Sequence, residues 1–181
     1  GLHLGTMKKG RFEPSQALAM NLRMQEFVNS LNFNASDERT IRYLKGETLT
    51  AAEEEAADGL VIASPVYYAS ANATLIACLD RLFYSSHFDK TMKVGASVAC
   101  ARRGGCSATF DELNKYFTIS GMPVASSQYW NSIHGAAPGE AEKDEEGRQT
   151  MRTLARNMTF LMKSIALGKE QSGLPEKEAK I

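Results

Sequence analysis

The sequence is poor in cysteine and has no long hydrophobic run. Its 181 residues include three cysteines, Cys78, Cys100 and Cys106, and no C-x-x-C pair. An odd number of cysteines without such a pair favours free thiols in a reducing compartment over a disulfide framework or a zinc site. No apolar stretch approaches the roughly 20 residues that cross a bilayer, and no signal peptide is recognisable. We therefore expect a cytoplasmic protein with no bound metal and no membrane partner.

Net charge is also absent. Lys plus Arg and Asp plus Glu both number 21, so the formal net charge is zero. Proteins that bind nucleic acid or an anionic membrane usually carry an excess of basic residues on one face. The charge balance therefore argues against a polyanionic partner, and we expect no binding of nucleic acid.

Short apolar runs alternate with longer amphipathic segments along the chain. The predicted strands are residues 2–4, 40–44, 60–63, 94–100 and 123–129, the first of them short. The predicted helices are residues 15–31, one opened by a capping box at residues 50–53, one capped by Ser70, residues 110–117, and residues 145–167 ending at Gly168. This alternation predicts a single α/β domain over residues 1–181, with a parallel sheet and helices on both faces.

In such sheets ligands bind beyond the carboxyl ends of the strands, so the loops after the strands are the candidate sites. The first loop is GTMKKGRFEPSQ, residues 5–16. Its glycines let the backbone approach an anion, Thr6 offers a hydroxyl, and a helix N-terminus follows, so it predicts a phosphate site. The spacing is neither a Walker sequence nor G-x-G-x-x-G, and an exposed basic loop fits it equally well.

Two further loops carry candidate binding residues. Tyr67 and Tyr68 follow the apolar run at residues 60–63, where paired tyrosines are more often packing residues or hydrogen-bonded caps than ligand contacts. In ARRGGCSATF, residues 101–110, the glycine pair can bring backbone N–H groups close to a ligand, and two arginines precede it.

These three loops, in this order, resemble those of the flavodoxin-like NAD(P)H-dependent FMN reductase family. The first is similar to the family's phosphate loop G-S-x-R-x-G, and ADGLVIASPVYYASANATLIACLDRLF is similar to its strand, S-P-x-Y motif and helix ending in L-D-R. KVGASVACARRGGCSATFDELNKYFTISGMPVASSQYWNSIHG is similar to a subgroup of these flavoproteins over its whole length. The resemblance is specific from Ala57 onward and rests on one loop and a helix before that. The cysteine-rich insertion of iron-sulfur relatives is missing, so no cluster is expected.

The resemblance implies a fold and a chemistry. The implied fold is a flavodoxin-like three-layer sandwich, with a five-stranded parallel sheet of order 2-1-3-4-5 whose first strand is short or truncated. The implied cofactor is FMN, with NAD(P)H as co-substrate and a flavin, quinone or similar small-molecule electron acceptor. Hydride transfer to and from flavin demands no general base or nucleophile from the protein, so no catalytic residue is expected.

The resemblance also implies which residues hold FMN. The residues at its phosphate end would be Thr6, Lys8, Gly10, Arg11 and Phe12. The residues bordering the flavin ring would be Pro65, Val66, Tyr67 and Tyr68. The residues on the pyrimidine side would be Ala101, Arg102, Arg103, Gly104 and Gly105.

Other readings stay open at the level of sequence. A one-electron carrier like flavodoxin would bind FMN without oxidising NAD(P)H, although the neutral charge balance lacks the acidic surface that helps such carriers dock. A flavin-free binding protein that kept the fold is the other alternative. His134 could line the acceptor site or be merely exposed, and Trp130 could cover the ring, meet a partner subunit or pack at a strand end. The family resemblance implies a homodimer or homotetramer, with the helix near residues 71–84 as the contact surface.

Overall fold

The computed structural model describes residues 5–8, 11–14, 55 and 57–179. The strands are β1 (Gly5–Lys8), β2 (Arg11–Pro14), β3 (Gly59–Tyr67), β4 (Ser70–Ala71), β5 (Val94–Ala101) and β6 (Ser132–His134). The helices are α1 (Ala73–Ser85), α2 (Cys106–Ile119) and α3 (Glu145–Ser172), with a 3₁₀ turn at Ala141–Lys143. The predicted elements at residues 2–4, 15–31, 40–44 and 50–53 lie outside the described residues.

The main sheet is mostly parallel. Its order is β4-β3-β5-β6, in which β3 and β5 pair in parallel from Gly59↔Val94 to Pro65↔Cys100, and β6 pairs in parallel with β5. The short β4 pairs antiparallel with the end of β3. The described residues therefore form a four-stranded mixed sheet, and the predicted five-stranded order 2-1-3-4-5 is wrong for them. The antiparallel pair arises because the chain folds back immediately after β3 instead of entering a helix.

The first predicted loop also differs from the structure. Residues 5–8 and 11–14 pair as antiparallel strands, with Thr6 opposite Glu13 and Lys8 opposite Arg11, and they make a two-stranded sheet of their own. Threonine and phenylalanine favour extended backbone, and two intervening residues are the shortest common hairpin spacing. The prediction of an irregular loop over this stretch is wrong for the described residues.

Helices cover both faces of the main sheet, as the sequence predicted. On one face, Val94, Ala96 and Val98 of β5 pack with buried residues of α3. The other face of β5 meets α2, where a Cβ on Gly95 would clash with the Phe117 ring. The two-residue period of the strand thus supplies a separate core to each helical layer.

β3 is longer and less buried than the apolar run predicted. Leu60, Ile62 and Ser64 are buried on the α1 and α2 side, whereas Val61 on the other side is 37% exposed. The strand continues through Pro65 to Tyr67, because its pairing with β5 extends to that proline and β4 pairs with its last two residues. The prediction of a fully buried strand ending before Ser64 is therefore wrong.

Two helix boundaries differ from their predictions. Asn72, not Ser70, caps α1, since its Oδ1 accepts the Thr74 and Leu75 amides at 3.0 and 3.2 Å. α3 passes Gly168 and ends before Gly173, which has φ 74°. A glycine inside a helix costs only about 1 kcal/mol relative to alanine, so packing of the preceding turns is sufficient to carry the helix across Gly168.

The last predicted strand, residues 123–129, is largely replaced by a later one. Within that range only Val124 bridges to Gly95, and the regular pairing with β5 comes from β6. In between, the Ser127 hydroxyl donates to Asn131 Oδ1 at 2.7 Å. Such local side-chain bonds compete with a strand ladder, and the chain leaves the sheet until Ser132.

None of the helices in the described segments combines the length and the apolar composition that a membrane crossing needs.

Candidate functional site

The sequence-predicted site residues of the second and third loops converge at one edge of the sheet. Pro65 pairs with Cys100 near the ends of β3 and β5, and Ala101 pairs with His134 at the ends of β5 and β6. Because these three strands are parallel, the segments that follow them leave from the same carboxyl edge. The candidate site is built from those segments.

The first of them, the tyrosine hairpin, consists of residues 64–71. Tyr67 pairs with Ser70, and the two turn residues, Tyr68 and Ala69, have φ of 52° and 60°. Positive φ at both turn positions is the type I′ pattern, which normally uses Asn-Gly. A non-glycine residue in this conformation costs on the order of 1–3 kcal/mol, and such strain is concentrated at functional sites.

The hairpin turns its aromatic side chains outward. Tyr68 is fully exposed and Tyr67 is 46% exposed. The tyrosines are therefore not packing residues of this chain's core, which was the alternative for a tyrosine pair after a buried strand. They are free to contact a ligand or a partner at the sheet edge.

Contacts from α2 and α1 hold the hairpin in its strained form. The Glu112 carboxylate accepts the Ser70 hydroxyl at 2.9 Å and the Ala71 amide at 2.8 Å. The Asn72 amide donates to the Ser64 hydroxyl at 2.9 Å, which closes the hairpin at its base. Sequence reasoning missed Glu112, because it lies more than 40 residues from the hairpin along the chain. Nothing in its local sequence distinguishes it from an exposed acidic residue of a helix.

The second segment, the glycine loop of residues 101–105, packs directly against the hairpin. Gly105 has φ 91°, and a Cβ there would lie 2.8 Å from Val66 Cγ1 and 2.9 Å from the Ala69 Cα. Gly104 has open space around it, and Arg102 and Arg103 are exposed. The structure thus brings together the ring-border and pyrimidine-side residues that the family resemblance implied.

The start of α2 adds backbone donors to the same place. Gly105 is its N-cap and has no side chain to satisfy the first amides of the helix. The N-terminus of a helix carries a partial positive charge and unpaired N–H groups, which suit an anionic or carbonyl group. The glycine loop therefore offers donors, positive charge and open space on one side of the hairpin.

The predicted phosphate residues are not brought to this edge by any described strand pairing. Thr6 and Lys8 lie on β1 and Arg11 and Phe12 on β2, and these strands pair only with one another. Gly10 lies outside the described residues. The role of these five residues stays a prediction.

A cysteine and a histidine meet beside the glycine loop. Cys106 Sγ lies 3.9 Å from His134 Nε2, and Asp144 accepts the His134 backbone amide at 2.7 Å. Burial raises the pKa of Cys106 and of Cys100, although both residues are only half-buried. No sequence pattern links Cys106 to His134, because the two residues belong to different elements and are 28 residues apart.

The loop at residues 126–131 borders the edge on the β6 side. The Tyr129 and Trp130 rings lie 5.1 Å apart, and the Trp130 side chain is 57% exposed. Asn131 anchors the loop, since its carbonyl accepts the Ala99 amide at 2.9 Å. Trp130 is therefore not a buried strand-end aromatic, which leaves ligand or subunit contact as its open alternatives.

A cleft of about 670 Å³ lies at the opposite edge, beside the amino ends of β3 and β5. Asp58, Lys93, Met162 and Leu174 are among the residues lining it. Ligands of parallel sheets bind at the carboxyl edge, and the strained and uncapped backbone groups are at that edge, so the cleft is not the candidate site.

A family profile matches most of the described chain. The profile described as NADPH-dependent FMN reductase matches residues 20–137, which is more than half of the sequence. A second profile, the first C-terminal domain of RsmF rRNA methyltransferase, matches only residues 1–22 and covers too little to show a family.

Two curated proteins are similar to the chain. The iron-sulfur flavoprotein of Methanocaldococcus jannaschii is 32% identical over 117 residues, which is 60% of this chain and 61% of that protein. The iron-sulfur flavoprotein of Methanosarcina thermophila is 32% identical over 120 residues, 64% of this chain and 62% of its own length. The chain therefore spans somewhat less than two thirds of the length of these relatives.

A solved structure shares the fold. The flavodoxin, WrbA-like protein from Agrobacterium tumefaciens matches with a TM-score of 0.50 at 18% identity, over 62% of this chain and 71% of that chain. Identity this low shows the fold alone. The parallel strands and two helical layers described above are accordingly a flavodoxin-like α/β arrangement.

Proposed function

Since the chain belongs to the NADPH-dependent FMN reductase family, we propose that it is an FMN-dependent oxidoreductase that carries hydride from NAD(P)H to a flavin, quinone or similar acceptor. Family membership supports a flavin-dependent oxidoreductase or electron carrier. The observation that carries the proposal further is the strained tyrosine hairpin packed against Gly105 at the carboxyl edge of the sheet.

The residues at this edge fit a flat, polar ring. Tyr68 projects fully into solvent from the hairpin, so it can border a ring without displacing core contacts. A Cβ on Gly105 would clash with Val66 and Ala69, whereas a Cβ on Gly104 would meet no other atom within 4 Å. Pro65, Val66 and Tyr67 would complete the ring border, with the glycine loop on the pyrimidine side.

When bound, FMN supplies the hydride-transfer chemistry, and the protein supplies position and electrostatics. The uncapped amides of α2 and the exposed Arg102 and Arg103 would place positive charge on one side of the ring. Fixed donors of this kind favour negative charge that develops beside them, as an oxyanion hole does. Thr6, Lys8, Gly10, Arg11 and Phe12 would hold the phosphate end in this proposal.

The proposal does not extend to an iron-sulfur cluster, although the names of both curated relatives include one. Clusters are commonly held by four cysteine thiolates, and the 181 residues supply three. Cys78 is exposed on α1, whereas Cys100 and Cys106 lie at the carboxyl edge on β5 and α2.

The test is an FMN titration of the purified chain, followed by absorbance and by melting temperature. Tyr67→Ala and Tyr68→Ala are expected to weaken FMN binding roughly two- to twelvefold, since an aromatic contact contributes about 0.5–1.5 kcal/mol. Phe160→Ala is the matched control, because Phe160 is an exposed aromatic residue on α3 and lies outside the hairpin. Its affinity for FMN should stay unchanged.

An assay of NADH and NADPH oxidation with a quinone acceptor then distinguishes a reductase from a flavodoxin-like electron carrier. Turnover supports the reductase, and FMN binding without NAD(P)H oxidation would instead assign a flavodoxin-like electron carrier. If the protein stays colourless after incubation with FMN and its melting temperature does not change, a flavin-free binding protein is the alternative that remains.

A further inference from the structure

Three side chains from separate elements meet beside the glycine loop and form what we call the thiol cluster: Cys106, His134 and Asp144. Cys106 is the first residue of α2, His134 is the last residue of β6, and Asp144 is the N-cap of α3. Cys106 Sγ lies 3.9 Å from His134 Nε2, within reach of a weak sulfur hydrogen bond. A nucleophile, a base and a carboxylate that orients the base are the parts of an activated cysteine site.

Asp144 fixes the orientation of His134 through two contacts. Its Oδ2 accepts the His134 backbone amide at 2.7 Å and lies 3.6 Å from the ring Nδ1. The Asp144 Oδ1 accepts the Gly147 amide at 2.9 Å, which ties the carboxylate to the start of α3. A carboxylate on the Nδ1 side favours the proton there, and Nε2 is then an acceptor that faces the thiol.

The helix start and burial act in opposite directions on the Cys106 thiol. A sulfur at the first turn of a helix is stabilised as a thiolate by the helix dipole, and Gly105 supplies no side-chain cap to offset it. Burial acts in the opposite direction and raises the pKa of the Cys106 thiol. The thiol therefore needs a base at the moment of attack, and His134 is in place to be that base.

Two arginines precede Cys106 in the chain and indicate which electrophile would reach it, although the Glu140 carboxylate also interacts with Arg102. Arg102 and Arg103 are exposed on the loop that leads into Cys106. The His134 side chain is 47% exposed, so a small reagent can approach from solvent. Guanidinium groups pair with carboxylates, so an anionic reagent gains affinity that a neutral one does not.

We propose that Cys106 is a nucleophilic thiol that exchanges with small disulfides bearing carboxylates, with His134 accepting its proton. Sγ attacks one sulfur of the disulfide and forms a new S–S bond, while the original S–S bond breaks and its electron pair leaves with the other sulfur. The proton moves from Sγ to Nε2 of His134, and from there to the departing thiolate. The exchange forms one disulfide and breaks one, so no external oxidant is needed.

The test uses the full chain as purified and two reagents. The first is 5,5′-dithiobis(2-nitrobenzoate), which carries two carboxylates, and the second is the neutral 4,4′-dithiodipyridine. Acid quenching and peptide mass spectrometry give a separate rate for each cysteine. Cys78 is exposed on α1 and serves as the internal reference in the same molecule.

The proposal expects Cys106 to react faster than the more exposed Cys78 with the anionic reagent. His134→Gln is expected to lower the Cys106 rate at least about tenfold and to leave the Cys78 rate unchanged, since a positioned base contributes roughly a hundredfold or more. His87→Gln is the matched control, because His87 is an exposed histidine outside the cluster. Asp144→Asn should lower the Cys106 rate less than His134→Gln does, since asparagine can still cap α3.

Two results would overturn the proposal. One is a Cys106 rate below that of Cys78 in the folded protein, and the other is an unchanged Cys106 rate in His134→Gln with an unchanged melting temperature. The double variant Arg102→Gln, Arg103→Gln tests the carboxylate preference separately. If this variant leaves the ratio of the Cys106 rates with the two reagents unaltered, the assignment of an anionic disulfide is wrong. The readout needs no FMN and no NAD(P)H, so it is independent of the proposed reductase activity.

Discussion

Glu112 connects the middle of α2 to the strained hairpin at the sheet edge. Its carboxylate accepts one hydroxyl and one backbone amide, from Ser70 and Ala71. Glu112→Ala removes both bonds and releases the hairpin, so we expect the free energy of unfolding to fall by about 1–2 kcal/mol. Urea unfolding measures this change, and FMN affinity should fall with it because the hairpin borders the proposed ring site.

Asp111→Ala is the matched control for that variant. Asp111 is the neighbouring acid on α2 and is exposed, so its removal should change the free energy of unfolding by less than about 0.5 kcal/mol. Equal stability losses in the two variants would contradict a specific role for Glu112. They would mean that any acid removed from this part of α2 destabilises the helix.

Single residues also show where sequence reasoning about the site reaches its limit. Tyr67, Tyr68 and Gly105 could be selected from sequence, because tyrosines and glycines after apolar runs are local signals. Glu112 and Asp144 could not, since their importance depends on which distant backbone amide they accept. Contacts between residues far apart in sequence leave no pattern in a single chain.

α3 offers a test at the scale of an element. Gly168 lies just before its last turn, where an added Cβ would meet nothing within 4 Å, and the helix ends before Gly173 at φ 74° and ψ 175°. Gly168→Ala should stabilise the turn by about 1 kcal/mol, because alanine is the better helix former. Gly173→Ala should weaken the helix end by about 1 kcal/mol or more, because that conformation is almost restricted to glycine.

Amide hydrogen exchange over residues 165–172 measures both changes directly. Slower exchange in Gly168→Ala together with faster exchange in Gly173→Ala places the helix end at Gly173. If Gly168→Ala instead destabilises the turn, the helix ends at Gly168, as the sequence pattern alone predicted. The two variants thus serve as controls for each other.

The elements that could be predicted from sequence are those with a strong apolar period. β5 and the three helices follow from such periods, with boundaries that shift by a few residues. The hairpin of β1 and β2 was missed because its glycine and lysines suggested an anion-binding loop, and alternation over four residues is too short to contradict that. β6 was misplaced because hydrogen bonds of Ser127 and Asn131 interrupt the pairing. In each case a local or tertiary interaction outweighed the apolar pattern.

At the scale of the whole molecule, both helical layers expose large apolar side chains to solvent. In α1 only Leu79 is buried, while Ala73, Ala77 and Tyr84 are exposed along the helix. Tyr84 is 92% exposed. These three apolar positions are spaced four and seven residues apart, so they lie on nearly the same face of α1. Asp80 is exposed on the same face, so this surface is mixed in polarity, and its position close to the tyrosine hairpin makes it a candidate contact for a second copy of the chain.

We therefore expect the protein to self-associate through α1 as a homodimer or homotetramer. Light scattering coupled to size exclusion at micromolar concentration should give at least twice the chain mass of 19.8 kDa. Tyr84→Glu should shift the protein towards monomer, because a carboxylate would have to be desolvated at the contact. Phe160→Glu is the matched control, since Phe160 is an exposed aromatic on α3, on the other side of the sheet, and its replacement should leave the mass unchanged. A monomeric wild-type protein would rule out self-association, and a dimer disrupted by Phe160→Glu but not by Tyr84→Glu would move the contact to α3.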